Sequence, residues 1–148
     1  MAGGCDGATW GAGKMTGFTL HERLTADGVF LIDWPLSRVL VMDEAKFPWL
    51  ILVPRRDGLV EIADLDEEGR NLLMNEQVRA GAALKSLFPC DKLNIAALGN
   101  QVPQLHVHVI ARHARDSAWP QPVWGTPKDS YGEKALAEIV EKLKAALS

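Results

Sequence analysis

The stretch that decides the fold is Gln104-Leu105-His106-Val107-His108-Val109-Ile110, followed by Ala111 and Arg112. Polar and apolar residues alternate along it with a period of two, which is typical of a β-strand that is buried on one face. Next-but-one side chains on a strand lie about 6.5–7 Å apart, so a carboxamide and two imidazoles form a row that one small anion can contact. The expected faces are Leu105, Val107 and Val109 on one side and Gln104, His106, His108 and Ile110 on the other.

The alternative interpretation is an ordinary strand whose polar residues face solvent. A lone exposed histidine needs no functional explanation, but two of the chain's four histidines share this register and a glutamine precedes them. Val102-Pro103 marks the beginning of the strand, because proline is tolerated at a strand's first residue or at a sheet edge. We therefore interpret the row as a candidate site.

Length and composition indicate a globular protein of one domain. The chain has 148 residues, of which 47% are apolar and 24% are charged. Sixteen basic and nineteen acidic residues give a net charge of −3, so nucleic acid is not predicted as a partner. No apolar run approaches the roughly 18 residues of a membrane span, so no membrane association is predicted.

The two cysteines and the N-terminus bear on location and domain limits. Cys5 and Cys90 lie far apart and form no metal-binding or redox motif, which favours a reduced, cytoplasmic setting. Residues 1–17 are rich in glycine and lack the apolar segment of a signal peptide, so we predict a flexible leader there. Residues 18–148 are predicted to form a single domain.

Strands are predicted on both sides of one long helix. Apolar runs at Val29–Asp33, Arg38–Met42 and Trp49–Val53 follow one another with short connections, as in an antiparallel meander. The third of these runs is nearly continuous, which is typical of a strand buried on both faces. Lys92–Leu98 is a fourth strand, and the turn at Gly99-Asn100 predicts a hairpin with the histidine strand.

The long helix is predicted to begin at a cap formed by Asp64 with Glu67 and to end before Pro89. Apolar and small residues on its buried face recur at spacings of three or four, which indicates that the helix packs on the core. The residues on this face are Leu73, Gln77, Ala80, Leu84 and Leu87.

A second helix is predicted at the C-terminal end, over residues 131–147, with Ser130 and Glu133 as a capping box. The segment Trp119–Gly125 before it is too rich in proline to be helical, and its aromatic rings are expected to cover apolar surface or a partner subunit. Five strands that do not alternate regularly with the helices indicate the α+β class, with a mainly antiparallel sheet.

The row from Gln104 to Ile110 resembles the histidine-triad (HIT) motif, in which three histidines alternate with apolar residues. The likeness extends from about Val29 to Trp124 and includes the buried strand with Arg55-Arg56 after it. The resemblance implies a HIT-like fold over residues 18–148. Members of the family are mostly homodimeric nucleotide hydrolases and transferases, whose sheet continues across the dimer.

By this resemblance, His106 falls on the family's nucleophile, which attacks the α-phosphorus of a nucleotide and forms a nucleotidyl-histidine. His108 falls on the last triad histidine, which contacts the phosphate and the leaving group. The chemistry is reasonable because a neutral imidazole is a good nucleophile near pH 7. A protonated His108 would also be able to hand a proton to the leaving group.

The resemblance also implies a binding site for a purine nucleotide or a nucleotide conjugate. Gln101 falls near a phosphate contact, and Asp43 falls near an acidic residue that meets the ribose hydroxyls. Backbone N–H groups of the turn formed by Gly99, Asn100 and Gln101 are candidates to bind phosphate oxygens. The scheme requires no metal and no cofactor.

Two positions depart from the family pattern. Gln104 stands where the first triad histidine is expected, and Asp57 stands where a related histidine often follows the basic pair. A glutamine side chain donates and accepts hydrogen bonds but carries no charge, so the positive charge near the phosphate is reduced.

Two other classes of function remain open from the sequence. The departure at Gln104 is compatible with a nucleotide-binding or interaction protein that has no catalytic activity. His106 and His108 also match a His-x-His metal-ligand pair, with His113 nearby and a distant carboxylate such as Asp57 to complete the set.

Overall fold

The computed structural model describes residues 17–148, so the predicted leader over residues 1–17 lies almost wholly outside the described residues and stays a prediction. None of the described helices has the length and apolar content needed to cross a bilayer. The elements follow in the order α1 (Glu22–Asp27), β1 (Gly28–Asp33), β2 (Ser37–Met42), β3 (Trp49–Pro54), a 3₁₀ helix (Ile62–Asp64), α2 (Glu67–Leu87), β4 (Lys92–Ala96), β5 (Val107–Arg112) and α3 (Glu133–Leu147).

All five strands form one antiparallel sheet in the order β1-β2-β3-β5-β4. This arrangement confirms the predicted α+β class, the meander of the first three strands and the hairpin between β4 and β5. Every residue of β3 is buried, as its continuous apolar run predicts. The strand therefore lies at the centre of the sheet and places β5 beside it.

The two faces of the sheet are covered differently. Helices α2 and α3 pack on one face and share a core with Leu105 and with the β5 side chains Val107 and Val109. On the other face, the helix α1 and the segment around Val123 cover a second, smaller core, which contains Ile110. The predicted separation of the two faces of β5 is confirmed. The histidines lie on the face that carries the smaller core.

The structure corrects where β5 begins. Its ladder with β3 begins at the pair Leu52 and Val107, so residues 104–106 lead into the strand without pairing to β3. The Leu105 N–H instead donates to the carbonyl of Leu59 in the loop after β3, at 2.9 Å. Residues 105–112 are all buried, so the prediction of a strand buried on only one face is wrong, because the cover on the histidine face also excludes solvent. The predicted alternation holds only for the face to which each side chain belongs, and the regular strand begins later than predicted.

The predicted cap of the long helix is wrong by two residues. Asp66 caps α2 by accepting from the Gly69 N–H at 2.7 Å. Asp64 ends the preceding 3₁₀ helix, where its carboxylate accepts from the N–H groups of Val60 and Glu61. The sequence has two aspartates that are suited to cap a helix, Asp64 and Asp66. The first belongs to the 3₁₀ helix, which the sequence did not predict, and the second caps α2.

The predicted capping box of the last helix is also wrong. Helix α3 begins at Glu133, its N-cap is Gly132, and the cap makes no side-chain hydrogen bond. The residue before this cap, Tyr131, is hydrogen-bonded to another part of the chain, since its N–H donates to the Asp43 carboxylate at 2.9 Å. That tether holds the segment in an extended path until Gly132.

Arg112, at the end of β5, fixes the segment that covers the histidine face. It is buried, and its guanidinium makes a two-point ion pair with Asp116 at 2.7 and 3.0 Å. The same guanidinium also donates to the side-chain oxygen of Asn94 and to the carbonyl of Gln121. The hydrogen bonds from Arg112 to Asp116 lower the pKa of Asp116 to about 2. The ion pair thereby sets the path of the chain toward Trp124.

We expect Arg112→Met to lower the free energy of unfolding by about 3–5 kcal/mol, because it leaves the buried Asp116 carboxylate without its partner. Arg38→Met is the matched control, since Arg38 and Asp33 form an ion pair of similar geometry whose side chains are each 31% exposed. That variant is expected to change stability by no more than about 1 kcal/mol. Urea unfolding of both variants measures the difference, and equal losses would contradict the structural role given to Arg112.

Candidate active site

An open cavity of about 350 Å³ lies on the histidine face of the sheet. Its walls come from α1, from β3 and β5, from the loop between β4 and β5, and from the tryptophan-containing segment. The described residues that line it are Arg23, Leu24, Asp27, Met42, Trp49, Ile51, Leu98, Gly99, Asn100, Gln101, Val102, His106, His108 and Trp124. Both histidines and the whole predicted turn at residues 99–101 therefore lie together.

A backbone carbonyl determines which ring nitrogen of His106 carries the hydrogen. The His106 Nδ1 atom lies 2.7 Å from the carbonyl oxygen of Gln104. A carbonyl oxygen only accepts hydrogen bonds, so Nδ1 must carry a hydrogen. In the neutral ring the lone pair is then on Nε2, which is the atom a nucleophile uses. His106 is 7% exposed, and this small surface belongs to the cavity.

His108 is held in the opposite tautomer. The indole N–H of Trp49 donates to Nδ1 of His108 at 3.0 Å, so the hydrogen of the neutral imidazole is on Nε2. Burial and the neighbouring His106 lower the pKa of His108 to about 4. His108 is consequently neutral at pH 7 and presents a hydrogen-bond donor. The contact with Trp49 therefore favours a neutral ring that donates from Nε2, whereas transfer of a proton from a protonated His108 to the leaving group stays a prediction of the sequence.

Aromatic rings enclose His108 on two sides. Trp49 and Trp124 both meet its ring edge to face, with centroid distances of 5.6 and 5.2 Å. The rings exclude water and hold the imidazole in one orientation, which is the arrangement that lowers its pKa by desolvation. Trp124, which the sequence placed over apolar surface or a partner subunit, therefore covers a site residue of its own chain.

Asp43 lies in a neighbouring, smaller cavity of about 200 Å³. The two cavities share lining residues, among them Trp49 and Trp124, so Asp43 lies beside the histidine site and not within it. One of its carboxylate oxygens already accepts from the Tyr131 N–H. Burial and the charges of Glu44 and Asp43 raise the pKa of Tyr131.

Gln104 is not among the described residues that line either cavity. Its carboxamide oxygen accepts from the His21 N–H at 2.8 Å, and its amide nitrogen donates to the carbonyl of Thr19 at 2.8 Å. The backbone carbonyl of Gln104 contacts His106, but its side chain is turned toward the chain before α1. The predicted row of three side chains is therefore a pair of histidines in the cavity with a glutamine beside it.

Sequence reasoning missed the wall formed by α1, which contributes Arg23, Leu24 and Asp27. This helix has only six residues, which is too short for a helical periodicity to be visible. Its cap is His21, whose Nδ1 accepts from the Arg23 N–H at 3.1 Å. Histidine is not a usual capping residue, so the sequence carries no standard signal for the start of this helix.

The metal alternative finds no further support in the described residues. Within residues 17–148, no group of three or more histidine, cysteine or acidic side chains is placed to hold a metal ion. The Nδ1 atom of His108 is occupied by the indole N–H of Trp49. His113 lies beyond the end of β5, where its Nδ1 accepts from the Arg115 N–H.

Comparison with known proteins establishes the class of protein to which this fold and site belong. The family model of the HIT domain matches residues 23–115, which is more than half of the chain. The chain therefore belongs to the HIT domain family. The comparison with curated proteins found no match.

Solved structures from bacteria agree with this assignment. A histidine triad protein from Bradyrhizobium japonicum is 49% identical, with a TM-score of 0.85 over 88% of this chain and 98% of the other. One from Marinobacter aquaeolei is 46% identical, with a TM-score of 0.85 over 88% and 96%. One from Sinorhizobium meliloti is 39% identical, with a TM-score of 0.86 over 90% and 100%.

The lowered pKa of His108 predicts a pH-dependent loss of stability. Its folded pKa of about 4 lies below the ordinary value of 6.5, so the unfolded chain binds more protons between these values. The free energy of unfolding is then expected to fall as the pH is lowered through this window, by up to about 3 kcal/mol. Urea unfolding from pH 7 down to pH 4 measures the loss.

The matched variant for this measurement is His108→Gln, which retains a polar side chain but removes the ionisation. We expect the variant to lose less stability than the wild type between pH 7 and about pH 4. Asp116 does not interfere, because its pKa is about 2 and its own window lies lower. Parallel pH dependences of the two proteins would show that His108 is not held neutral.

Proposed function

We propose that the protein is a nucleotide hydrolase or nucleotidyl transferase that acts on the α-phosphate of a nucleoside phosphoramidate or a dinucleotide-type substrate. Membership of the HIT family supports nucleotide chemistry in general. The observation that carries the proposal is the proton on His106, because the contact of 2.7 Å with the Gln104 carbonyl leaves Nε2 as the free lone pair in the cavity.

The first step is the attack of His106 Nε2 on the α-phosphorus. A bond forms between nitrogen and phosphorus, and the bond from phosphorus to the leaving group breaks. The imidazole keeps its Nδ1 hydrogen and gains positive charge, which the Gln104 carbonyl oxygen stabilises. The leaving group departs with its electron pair and takes a proton from solvent. Division of the substitution into two steps is the usual advantage of a covalent intermediate.

The second step is hydrolysis of the nucleotidyl-histidine. Water attacks the phosphorus and gives up a proton to solvent, and the bond to Nε2 breaks with its electron pair returning to the nitrogen. The nucleoside monophosphate is released while His106 returns to its neutral form. In a transferase, another hydroxyl or amine takes the place of water. In both steps His108 donates a hydrogen bond from Nε2 to a phosphate oxygen, which its neutral tautomer permits at pH 7.

The rest of the cavity suits a nucleotide. The turn at Gly99, Asn100 and Gln101 lines the same cavity as the histidines, and we propose that its backbone N–H groups and the Gln101 side chain bind a phosphate. Apolar side chains such as Leu24 provide a surface for a purine base. Asp43 is proposed to meet the ribose from the neighbouring cavity.

The covalent step is tested with His106→Ala. We expect turnover of a nucleoside phosphoramidate to fall by at least roughly 10³-fold, as when the nucleophile of a covalent enzyme is removed. Binding of adenosine 5′-monophosphate should persist, and mass spectrometry of the quenched wild type should show a nucleotidyl adduct on His106. The control is His113→Ala, because His113 lies outside the cavity lining and its loss should leave turnover unchanged.

Two results would contradict this mechanism. Turnover retained by a folded His106→Ala variant would exclude His106 as the nucleophile. A wild type that binds adenosine 5′-monophosphate but turns over no phosphoramidate or dinucleotide would instead establish the binding-only alternative, to which the departure at Gln104 points.

We also propose a homodimer in which β4 pairs with β4 of a second copy. Strand β4 is an edge of the sheet, and an unpaired edge is a template for another strand. Ile95 on this strand is 44% exposed, and Met74 and Val78 on α2 are 58% and 64% exposed. Gly81, on the same helical face as Met74 and Val78, lies against Leu93 of β4, so these side chains form one apolar surface beside the edge.

Ile95→Lys is expected to shift the protein from dimer to monomer, because it places a charge in the proposed apolar interface. Sedimentation velocity at micromolar concentration measures the shift. Val60→Lys is the control, since Val60 is 48% exposed and lies in a loop away from β4. A wild type that sediments as a monomer would rule out the proposed dimer.

We propose a cytoplasmic location for the protein. The support is chemical: Cys90 forms no disulfide within residues 17–148, and the chain's other cysteine, Cys5, lies outside that range. Free thiols persist in reducing compartments.

A further inference from the structure

The segment before β1 is held at both ends while it crosses the mouth of the cavity. At its beginning, the carboxamide of Gln104 bonds the backbone of Thr19 and His21, each at 2.8 Å. At its end, the carbonyl of Asp27 accepts from the Asp43 N–H at 3.0 Å. Gln104 leads into β5, whereas Asp43 follows β2, and β3 lies between these strands. Helix α1 therefore lies between these two attachment points, where its residues Arg23, Leu24 and Asp27 form a wall of the cavity.

Arg23 lies in the first turn of this helix, at the end nearer the histidines. It is two residues from His21, which bonds Gln104, and Gln104 is itself two residues from His106. Arg23 lines the cavity, and it is the only lysine or arginine among the described lining residues. The acidic residue of the lining, Asp27, is at the far end of the helix, where Lys128 lies 3.9 Å from it.

A helix of six residues has little stability of its own, so its position depends on tertiary contacts. Leu24 is buried in the smaller core, and Phe18 lies against the guanidinium of Arg38. Among the described residues, the Gln104 carboxamide makes the polar contacts to the beginning of the segment. A glutamine suits this place because one side chain must accept from an N–H and donate to a carbonyl at the same time.

We infer that Gln104 is a positioning residue, which acts through the segment 19–27 to hold the Arg23 guanidinium against the phosphate of a bound nucleotide. The inference rests on the proposed function for the identity of the ligand. It explains how the site keeps a positive charge although a neutral glutamine stands at the first position of the row. The charge comes from α1, and the glutamine holds α1 in place.

The test uses full-length protein and two variants, Gln104→Met and Arg23→Met, alone and combined. Methionine keeps the length of the glutamine side chain and the unbranched apolar stem of the arginine, and it removes the hydrogen bonds of both. We expect Gln104→Met to increase hydrogen exchange at the His21 amide at least about tenfold, because that N–H donates to the lost oxygen. Arg23→Met should leave exchange at His21 unchanged.

Calorimetric titration with adenosine 5′-monophosphate and with adenosine measures binding. Each single variant is expected to weaken the monophosphate about tenfold, the loss typical of a charge-assisted hydrogen bond, and to leave adenosine nearly unchanged. The double variant should bind the monophosphate about as weakly as each single variant. If Gln104 acts only through Arg23, then its loss costs no further affinity once Arg23 is gone. Arg115→Met, at an exposed arginine outside the cavity lining, is the control and should bind like the wild type.

Three results would overturn the inference. Unchanged exchange at His21 in Gln104→Met would show that the carboxamide does not hold the segment. Additive losses in the double variant would show that Gln104 does not act through Arg23. Equal weakening of adenosine and its monophosphate by Arg23→Met would place the guanidinium at the nucleoside and not at the phosphate.

A failure of the proposed function is distinguishable from these results. If the wild type binds no adenosine 5′-monophosphate, then the nucleotide assignment fails and the role of Arg23 at a phosphate fails with it. Exchange at the His21 amide needs no ligand, so it decides separately whether Gln104 positions the segment.

Discussion

The register between β3 and β5 is the constraint on which the site depends. Leu50 pairs with Val109 and Ile51 pairs with His108, so each strand sends one set of side chains into the main core and the other toward the cavity. A slip by one residue would turn the histidines into the core and the valines toward the cavity. Such a slip would also take His108 away from the indole N–H of Trp49 and leave a buried imidazole nitrogen without its partner, which is costly.

The same register places Trp49 where its indole N–H meets His108. The two histidines are then held in opposite tautomers, one by a carbonyl that accepts and one by an indole that donates. One ring presents a lone pair to the cavity and the other presents a hydrogen. Neither arrangement requires a charged imidazole. Arg23 on α1 is the lysine or arginine among the described lining residues, and we propose that it supplies positive charge to a bound phosphate.

Much of the fold and part of the site could be predicted from local patterns. The alternation around His106 and His108 predicts which side chains share a face, and the continuous apolar run of β3 predicts a central strand. The spacing of Leu73, Ala80 and Leu84 likewise predicts the buried face of α2. These patterns are reliable because side chains return to the same face every two residues in a strand and about every 3.6 residues in a helix. Packing on one core therefore repeats apolar residues at those spacings.

Taken alone, the sequence determined the order of the five strands and of the helices α2 and α3, the two faces of β5 and the presence of histidines on one of them. Only the tertiary structure decided what those histidines can do, because the groups that set their protons and surroundings are remote in the chain. Trp49 is 59 positions from His108, and Gln104 bonds the backbone at Thr19 and His21 from 85 and 83 positions away. Local periodicity carries no information about such partners, since strand order and loop paths bring them together.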